Sequence, residues 1–236
     1  MKGAQSQRNK QKKGIHMNTE TTLLDSVEFA ENGEPRCPCV LVLDVSGSMS
    51  GQPINALNQG IEQFKNELMQ DSLAVKRVEL AVVTFNNSVD VIQDFVTPDA
   101  FVPPTLIAGG STNMGAGILK AFDVVDSRKA AYRTNGIAQY CPWLWLLTDG
   151  APTDDTSVAE QRIRETEARK RCAFFAVGVG RADMQRLATI SVRQPLKLNG
   201  LNFASMFTWL SASLQSVSAS RPGEQVQLPA VGWARV

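Results

Sequence analysis

The chain is almost without histidine. His16 is the only one among 236 residues, and it lies in the basic N-terminal stretch rather than in the body of the sequence. A Ser-His-Asp triad, a Cys-His pair and a histidine-rich zinc site each need an imidazole beside the reacting group or the metal. The sequence therefore argues against all three.

Cysteine is also scarce. Cys37 and Cys39 are separated by one residue, instead of the roughly two to four residues usual between zinc ligands. Cys141 and Cys172 stand at the starts of predicted strands. We expect buried, reduced thiols, with a zinc site or a disulfide as the alternative.

Long apolar runs and an excess of one charge are absent too. No stretch reaches the roughly 18 apolar residues of a membrane span, and the N-terminus lacks the apolar core of a secretory signal. A net charge of +1 gives no electrostatic reason to expect nucleic acid or an anionic membrane as a partner. We therefore predict a cytoplasmic protein that binds neither.

The composition suits one sizeable domain, because 43% of the residues are hydrophobic and 20% are charged. We expect a basic, disordered leader over 1–37, a folded domain over 38–218 and a C-terminal extension over 219–236. The leader is either a solvated tail or a weak contact for an acidic partner, and Met17 competes with Met1 as its start. Its basic residues are Lys2, Arg8, Lys10, Lys12 and Lys13.

Strand and helix patterns alternate from Cys39 onward. Apolar residues recur at helical spacing over about 53–69, and two apolar runs flank Asn86-Asn87-Ser88 as in a hairpin. Later apolar runs near 143–148 and 172–180 are each followed by a helical pattern. Such alternation predicts an α/β fold with a mostly parallel sheet and helices on both faces.

Hard oxygen atoms stand where three of these segments end. The stretch LVLDVSGSMSG places Asp44, Ser46 and Ser48 at every second position after a buried strand. Thr112 lies in a glycine-rich loop, and Asp149 ends the apolar run LWLLT. In a parallel sheet the carboxyl ends of the strands meet at one edge, where ligands bind at a reversal of strand order.

Two interpretations compete for these residues. Each could cap a helix or sit in a turn, which is the simpler explanation for any one of them alone. All three segments together favour a site for a hard divalent cation, Mg²⁺ or Mn²⁺, because serine, threonine and aspartate oxygens are its usual ligands. The glycines of GVGRAD and GSTNMGAG do not complete a dinucleotide or phosphate loop.

These motifs resemble the metal-ion-dependent adhesion site of von Willebrand factor A (VWA) domains over about 38–218. The resemblance implies a doubly wound, mostly parallel six-stranded sheet with one antiparallel edge strand. It also implies that the serines bind the metal directly, Thr112 directly or through water, and the aspartates largely through water. The set is Asp44, Ser46, Ser48, Thr112 and Asp149.

The stretches LTDGAPTDD and FTWLSASLQSVSAS further resemble the bacterial tellurium-resistance Y (TerY)-like branch. Members of that branch are cytosolic stress-response proteins, often found with protein kinase and phosphatase partners. The candidate rim around the site is Met49, Met114, Asp154 and Asp155. Met114 fits the core stripe of its helix equally well, and the two aspartates could instead cap the helix starting near Val158.

The resulting hypothesis is a magnesium-dependent interaction module that binds an Asp or Glu carboxylate of a protein partner and is not an enzyme. Two other classes stay open. A metal-dependent hydrolase or phosphatase would use the ion to activate water, and a structural subunit would use it only to stiffen the loops.

Overall fold

The protein's structure, a computed structural model, describes residues 28–235. Within this range a single seven-stranded sheet runs in the order β3-β2-β1-β4-β5-β6-β7. Its strands are β1 (Cys37–Asp44), β2 (Val78–Phe85), β3 (Val89–Val96), β4 (Trp143–Thr148), β5 (Ala173–Gly178), β6 (Leu196–Leu198) and β7 (Ala234–Arg235). The helices are α1 (Gln52–Leu68), α2 (Ser72–Arg77), α3 (Met114–Thr134), α4 (Ser157–Ala168), α5 (Met184–Ile190) and α6 (Phe203–Ala219).

Side-chain alternation along the strands separates two cores. In β1, Leu41 and Leu43 pack with α1 and α6 on one face of the sheet, whereas Val42 packs with α3 on the other. Both faces are covered, so β1 and β2 are buried along their whole lengths and carry almost continuous apolar runs. This arrangement is doubly wound.

The predicted six-stranded sheet is confirmed, with β3 as an antiparallel edge strand paired to β2. The structure adds one element at the other edge, where the two-residue β7 runs antiparallel to β6. It also adds the short helix α2. Asp71 caps that helix, its carboxylate accepting hydrogen bonds from the Leu73 and Ala74 amides at 2.8 and 2.9 Å.

The described part of the predicted leader, residues 28–37, packs against the domain. Phe29 is buried against the ring of Tyr132, and β1 begins at Cys37 rather than Cys39. Arg36 is fully buried and donates through Nε to Glu79 at 2.8 Å. Residues 1–27, and with them most of the predicted disorder, lie outside the described residues.

Glu79 is the centre of a buried ion network. Both of its carboxylate oxygens accept from Arg128 at 2.8 Å, and Oε2 also accepts from the Tyr132 hydroxyl. Arg128 in turn pairs with Glu28 at 2.8 Å. The network thus ties residues 28–36 to β2 and α3.

The segment after α6 folds back onto the sheet. Trp233 is buried, its ring 6.0 Å from that of Trp209. The Trp209 indole donates to the Pro229 carbonyl at 2.8 Å. Of the predicted extension over 219–236, Ala219 still belongs to α6, and the segment 220–235 folds back against Trp209 of that helix.

All four cysteines are free. Cys37, Cys39 and Cys172 are buried and Cys141 is exposed, so the thiols of the described chain form no disulfide. No three His, Cys, Asp or Glu side chains of residues 28–235 group together as a metal site. None of the helices in this range is long and apolar enough to cross a bilayer.

Candidate metal centre

The candidate centre lies at the carboxyl ends of β1 and β4. These two strands are parallel neighbours, with Leu43 opposite Leu147. The chain order reverses between them, since β2 and β3 continue the sheet on one side and β5 on the other. Open α/β sheets bind ligands at such a reversal point. Asp44 ends β1, and Asp149 directly follows β4.

Asp44 is fully buried. The Ser46 amide donates to its Oδ1 at 2.8 Å, and the Thr148 hydroxyl donates to its Oδ2 at 2.5 Å. Burial raises the pKa of Asp44 above its ordinary value, and the nearby charge of Asp149 adds to this, whereas the bonds from Ser46 and Thr148 act in the opposite direction. A cation next to this carboxylate would relieve the cost of burying its charge.

Three oxygen-bearing side chains continue from Asp44 toward solvent. The Ser46 and Ser48 hydroxyl oxygens are 3.0 Å apart, and Ser48 donates to Asp149 Oδ1 at 2.6 Å. Ser46 is buried, Asp149 is half-buried and Ser48 is exposed. The cluster therefore has a closed inner side at Asp44 and an open outer side at Ser48.

Thr112 reaches the same place from the loop that precedes α3. A methyl group added to Gly150 would lie 3.7 Å from the Thr112 hydroxyl oxygen and 3.8 Å from that of Ser48. The loop is fixed by its backbone, because Thr112 N–H donates to the Thr153 hydroxyl at 3.0 Å and Thr153 N–H donates to the Thr112 carbonyl at 2.9 Å. The structure thus brings all five predicted ligand residues together.

Gly110, in the loop that contains Thr112, holds that loop against the loop that follows β1. Gly47 N–H donates to the Gly110 carbonyl at 3.0 Å. Gly110 has a φ of +84°, and an added Cβ there would meet the Asn87 side chain at 2.8 Å. Only glycine combines this conformation with so close an approach.

Two of the four predicted rim residues, Met49 and Met114, are wrong. Met49 and Met114 are completely buried, because each points into an apolar core, so neither offers a contact to a partner. Asp154 accepts from the Gly115 and Ala116 amides at 3.0 and 2.9 Å, and so binds the start of α3 rather than that of α4.

Asp155 does cap α4. It accepts from the Ser157 amide at 2.9 Å and from its hydroxyl at 2.8 Å. These bonds lower the pKa of Asp155, the backbone bond most strongly. Since its carboxylate is already engaged at the helix start, Asp155 has a structural explanation and needs no role at the rim.

Thr148 is the residue that sequence reasoning missed. It ends β4 one position before Asp149, is fully buried, and holds both Asp44 and the following turn, where Gly150 N–H donates to its hydroxyl at 3.2 Å. The signal in the sequence was a polar residue at the end of the apolar run LWLLT, directly before the acid.

The donor set fits a hard divalent cation. It offers two carboxylates and three hydroxyls, with no sulfur or imidazole in the cluster, and such oxygens suit Mg²⁺ and Mn²⁺. Asp44, Ser46, Ser48, Thr112 and Asp149 would hold the ion, and Thr148 would orient Asp44 from behind.

Structural comparisons agree on the fold. A von Willebrand factor type A protein from Catenulispora acidiphila has a TM-score of 0.59 at 18% identity, covering 77% of this chain and 43% of that one. The pilus adhesin SpaC from Lactobacillus rhamnosus GG, in its open conformation, has a TM-score of 0.61 at 13% identity, covering 79% and 31%.

Proximal thread matrix protein 1 from the mussel byssus, in a structure with a zinc-occupied metal-ion-dependent adhesion site (MIDAS) motif, has a TM-score of 0.53 at 18% identity. The match covers 77% of this chain and 48% of that one. This chain spans less than half the length of each of these three proteins. No curated protein sequence matches it. The family description of the von Willebrand factor type A domain matches residues 39–206, and the chain therefore belongs to that family.

Proposed function

We propose that this protein is a Mg²⁺- or Mn²⁺-dependent interaction module that binds an Asp or Glu side chain of a protein partner. The observation that supports it is the shape of the oxygen cluster, which is closed at the buried Asp44 and open at the exposed Ser48. A bound divalent ion would supply positive charge at this opening. A partner carboxylate is the hard anionic ligand that complements it.

The charge balance favours an anionic partner. Only two of the five ligand residues, Asp44 and Asp149, carry a carboxylate, and the other three carry neutral hydroxyls. Ser48 already donates to Asp149 at 2.6 Å, so one acceptor position of that carboxylate is engaged within the cluster. An ion held mainly by hydroxyls keeps an unmet demand for negative charge, and the exposed side of the cluster is where a partner can meet it.

A non-enzymatic role is part of the proposal. Residues 28–235 contain no histidine that could act as a general base at the cluster. Two-metal phosphatases use several direct carboxylates, whereas this cluster is rich in hydroxyls. Purified protein with Mg²⁺ should not turn over generic phosphate or ester substrates; activity that co-elutes with the protein and is lost in Thr112→Ala would favour the hydrolase instead.

We further propose a cytoplasmic setting in a bacterial stress-response system of the tellurium-resistance type. The stretches LTDGAPTDD and FTWLSASLQSVSAS support it by their resemblance to the TerY-like branch. A protein kinase or phosphatase of the same system is the first partner to test.

Calorimetric titration with Mg²⁺ tests the metal. Wild type should bind one ion, and Asp44→Asn should bind at least about 10-fold more weakly because the cluster loses half its formal charge while keeping its shape. Asp155→Asn is the matched control, since it removes an equal charge from an exposed cap outside the cluster. Equal Mg²⁺ affinity in wild type and Asp44→Asn would contradict the assignment.

Capture of the partner from lysate, with and without chelator, tests the interaction. The complex should be lost with chelator and in Thr112→Ala, and it should be lost when the partner's acidic residue is changed to its amide. Binding that ignores both the chelator and the amide substitution would show that the partner uses another surface.

A further inference from the structure

A cavity of about 760 Å³ lies at the opposite end of the sheet from the candidate metal centre. Trp143 and Ala173, the first residues of β4 and β5, line it. Asp149 follows the other end of β4, six residues along, which places the cavity about 20 Å from the metal centre. Its volume lies within the roughly 300–1,000 Å³ typical of small-molecule sites.

One wall of the cavity is apolar and aromatic. Trp143 and Phe175 line it, with their ring centroids 5.4 Å apart. Val217, at the end of α6, and Leu228, in the segment that folds back after α6, contribute the aliphatic part. Trp143 is buried, and the Phe175 ring already stacks on that of Trp145 at 4.7 Å and has the Arg193 guanidinium over it at 5.2 Å. The surface open to a flat ring is therefore the edge of Phe175 together with Val217 and Leu228, all three half-buried.

The rim is cationic. Lys129, Lys170, Arg171 and Arg193 line the cavity. Arg193 forms an ion pair with Glu167, whose carboxylate oxygens accept hydrogen bonds from Nε at 2.8 Å and from Nη2 at 3.0 Å. The other three cations have no ion-pair partner among the described residues. Their excess charge is reduced only by Glu224, whose carboxylate accepts from the Arg221 amide at 2.9 Å.

Lys170 has an unusual backbone conformation. It has a φ of +52° and is the only non-glycine residue in the described range with a positive φ. It follows α4 at the position where helices commonly end in glycine. A lysine in this conformation is strained, whereas a glycine would not be. The same residue lines the cavity with its ammonium group.

A buried acceptor without a partner also lies in the lining. The Gln139 side-chain oxygen is buried and accepts no hydrogen bond from the protein. An orphaned buried acceptor is costly, and it is satisfied when a ligand brings an N–H group.

We propose that this cavity binds a small organic polyanion with a flat, amine-bearing ring, of the nucleoside diphosphate type. The ring packs on Val217, Leu228 and the edge of Phe175, its amino group donates to Gln139, and the phosphates face Lys129, Lys170 and Arg171. These three cations and Glu224 leave a net charge of +2 at the rim, which favours a multiply charged anion. The inference is independent of the proposed function, because it uses no residue of the metal centre.

The test is calorimetric titration with adenosine diphosphate in the presence of chelator, so that no metal at the other end of the sheet can hold the phosphates. Adenosine and inorganic pyrophosphate serve as half-ligands, and each should bind at least about 10-fold more weakly, since each loses one set of contacts. Pyrophosphate binding as tightly as the diphosphate would overturn the proposal in favour of a general basic patch.

Lys170→Gly separates binding from folding. The substitution removes a cation and also relieves the backbone, so the melting temperature should stay the same or rise while the dissociation constant for adenosine diphosphate rises at least about 10-fold. Arg169→Ala is the matched control, because it removes the adjacent exposed charge outside the cavity lining. No detectable diphosphate binding in wild type, or equal binding in Lys170→Gly, would refute the site.

Discussion

The hydroxyl of Thr148 can be removed without changing the shape of the side chain. Thr148→Val keeps the branch and the volume but deletes the donor that contacts Asp44 Oδ2 at 2.5 Å. Both residues are fully buried, so no water replaces the lost bond. Ser46 then remains as a donor to this carboxylate, its amide binding the other oxygen.

The expected cost follows from that burial. Leaving a buried polar group without its partner costs about 1–3 kcal/mol of stability. For a domain of this size each kcal/mol lowers the melting temperature by about 2–4 °C, giving a fall of roughly 2–12 °C. The lost donor also raises the pKa of Asp44 further, because the Thr148 hydroxyl favours the charged form. Metal affinity should fall by about 10–100-fold, as for other residues that orient a ligand.

Two measurements on the same sample check this reasoning. Urea unfolding gives the stability, and calorimetric titration at pH 7 gives the Mg²⁺ affinity. Thr134→Val is the control, since it removes an exposed hydroxyl that donates to the Ala130 carbonyl far from the centre. A stability loss with unchanged Mg²⁺ affinity would refute the link between Thr148, Asp44 and the metal. Unchanged stability would show that the hydrogen bond from Thr148 to Asp44 does not stabilise the fold.

Further predictions concern the opposite end of the sheet. Glu79→Gln should lower the free energy of unfolding in urea by about 3–5 kcal/mol, because it removes the counter-charge of the buried Arg36 and one of those that face Arg128; a loss below about 1 kcal/mol would contradict it. Burial raises the pKa of Cys37 from its ordinary value of 9.0 to about 12, so the free energy of unfolding should fall as pH rises from about 9 to about 12, and less steeply in Cys37→Ala. An aromatic disulfide reagent should label Cys141 before unfolding and the three buried thiols only after it; rapid labelling of all four would be inconsistent with the fold.

The regular elements and the convergence of the centre follow from the sequence. The spacing of apolar residues predicted the bounds of helix α1 to within one or two residues. A helix with one buried face repeats its apolar residues at helical spacing, whereas a strand buried on both faces is a continuous apolar run, so the two patterns differ in the sequence. Asp44 and Asp149 were predicted to meet because the carboxyl ends of parallel strands share one edge. Both inferences depend only on local pattern and a general rule of topology.

Contacts between distant loops could not be predicted in this way. Asp154 binds the amide of Gly115 at the start of α3, which lies 39 residues earlier in the chain. Nothing in the local sequence distinguishes it from Asp155, which caps the helix that directly follows it. The two-residue strand β7 has too few side chains to give a period. Glu79 did leave a signal, a lone acid in the run VELAVVTF, but its partners lie on two distant segments, Arg36 before β1 and Arg128 and Tyr132 on α3.

The ion network also orders events during synthesis. Arg36 leaves the ribosome 43 residues before Glu79, and Glu28 leaves 100 residues before Arg128. At translation rates of about 5–20 residues per second, the second interval lasts roughly 5–20 s. Throughout that time Phe29 has no ring to pack on, because Tyr132 is made later still. The first described segment of the chain is therefore among the last to reach its place, and a chaperone has several seconds in which to bind it.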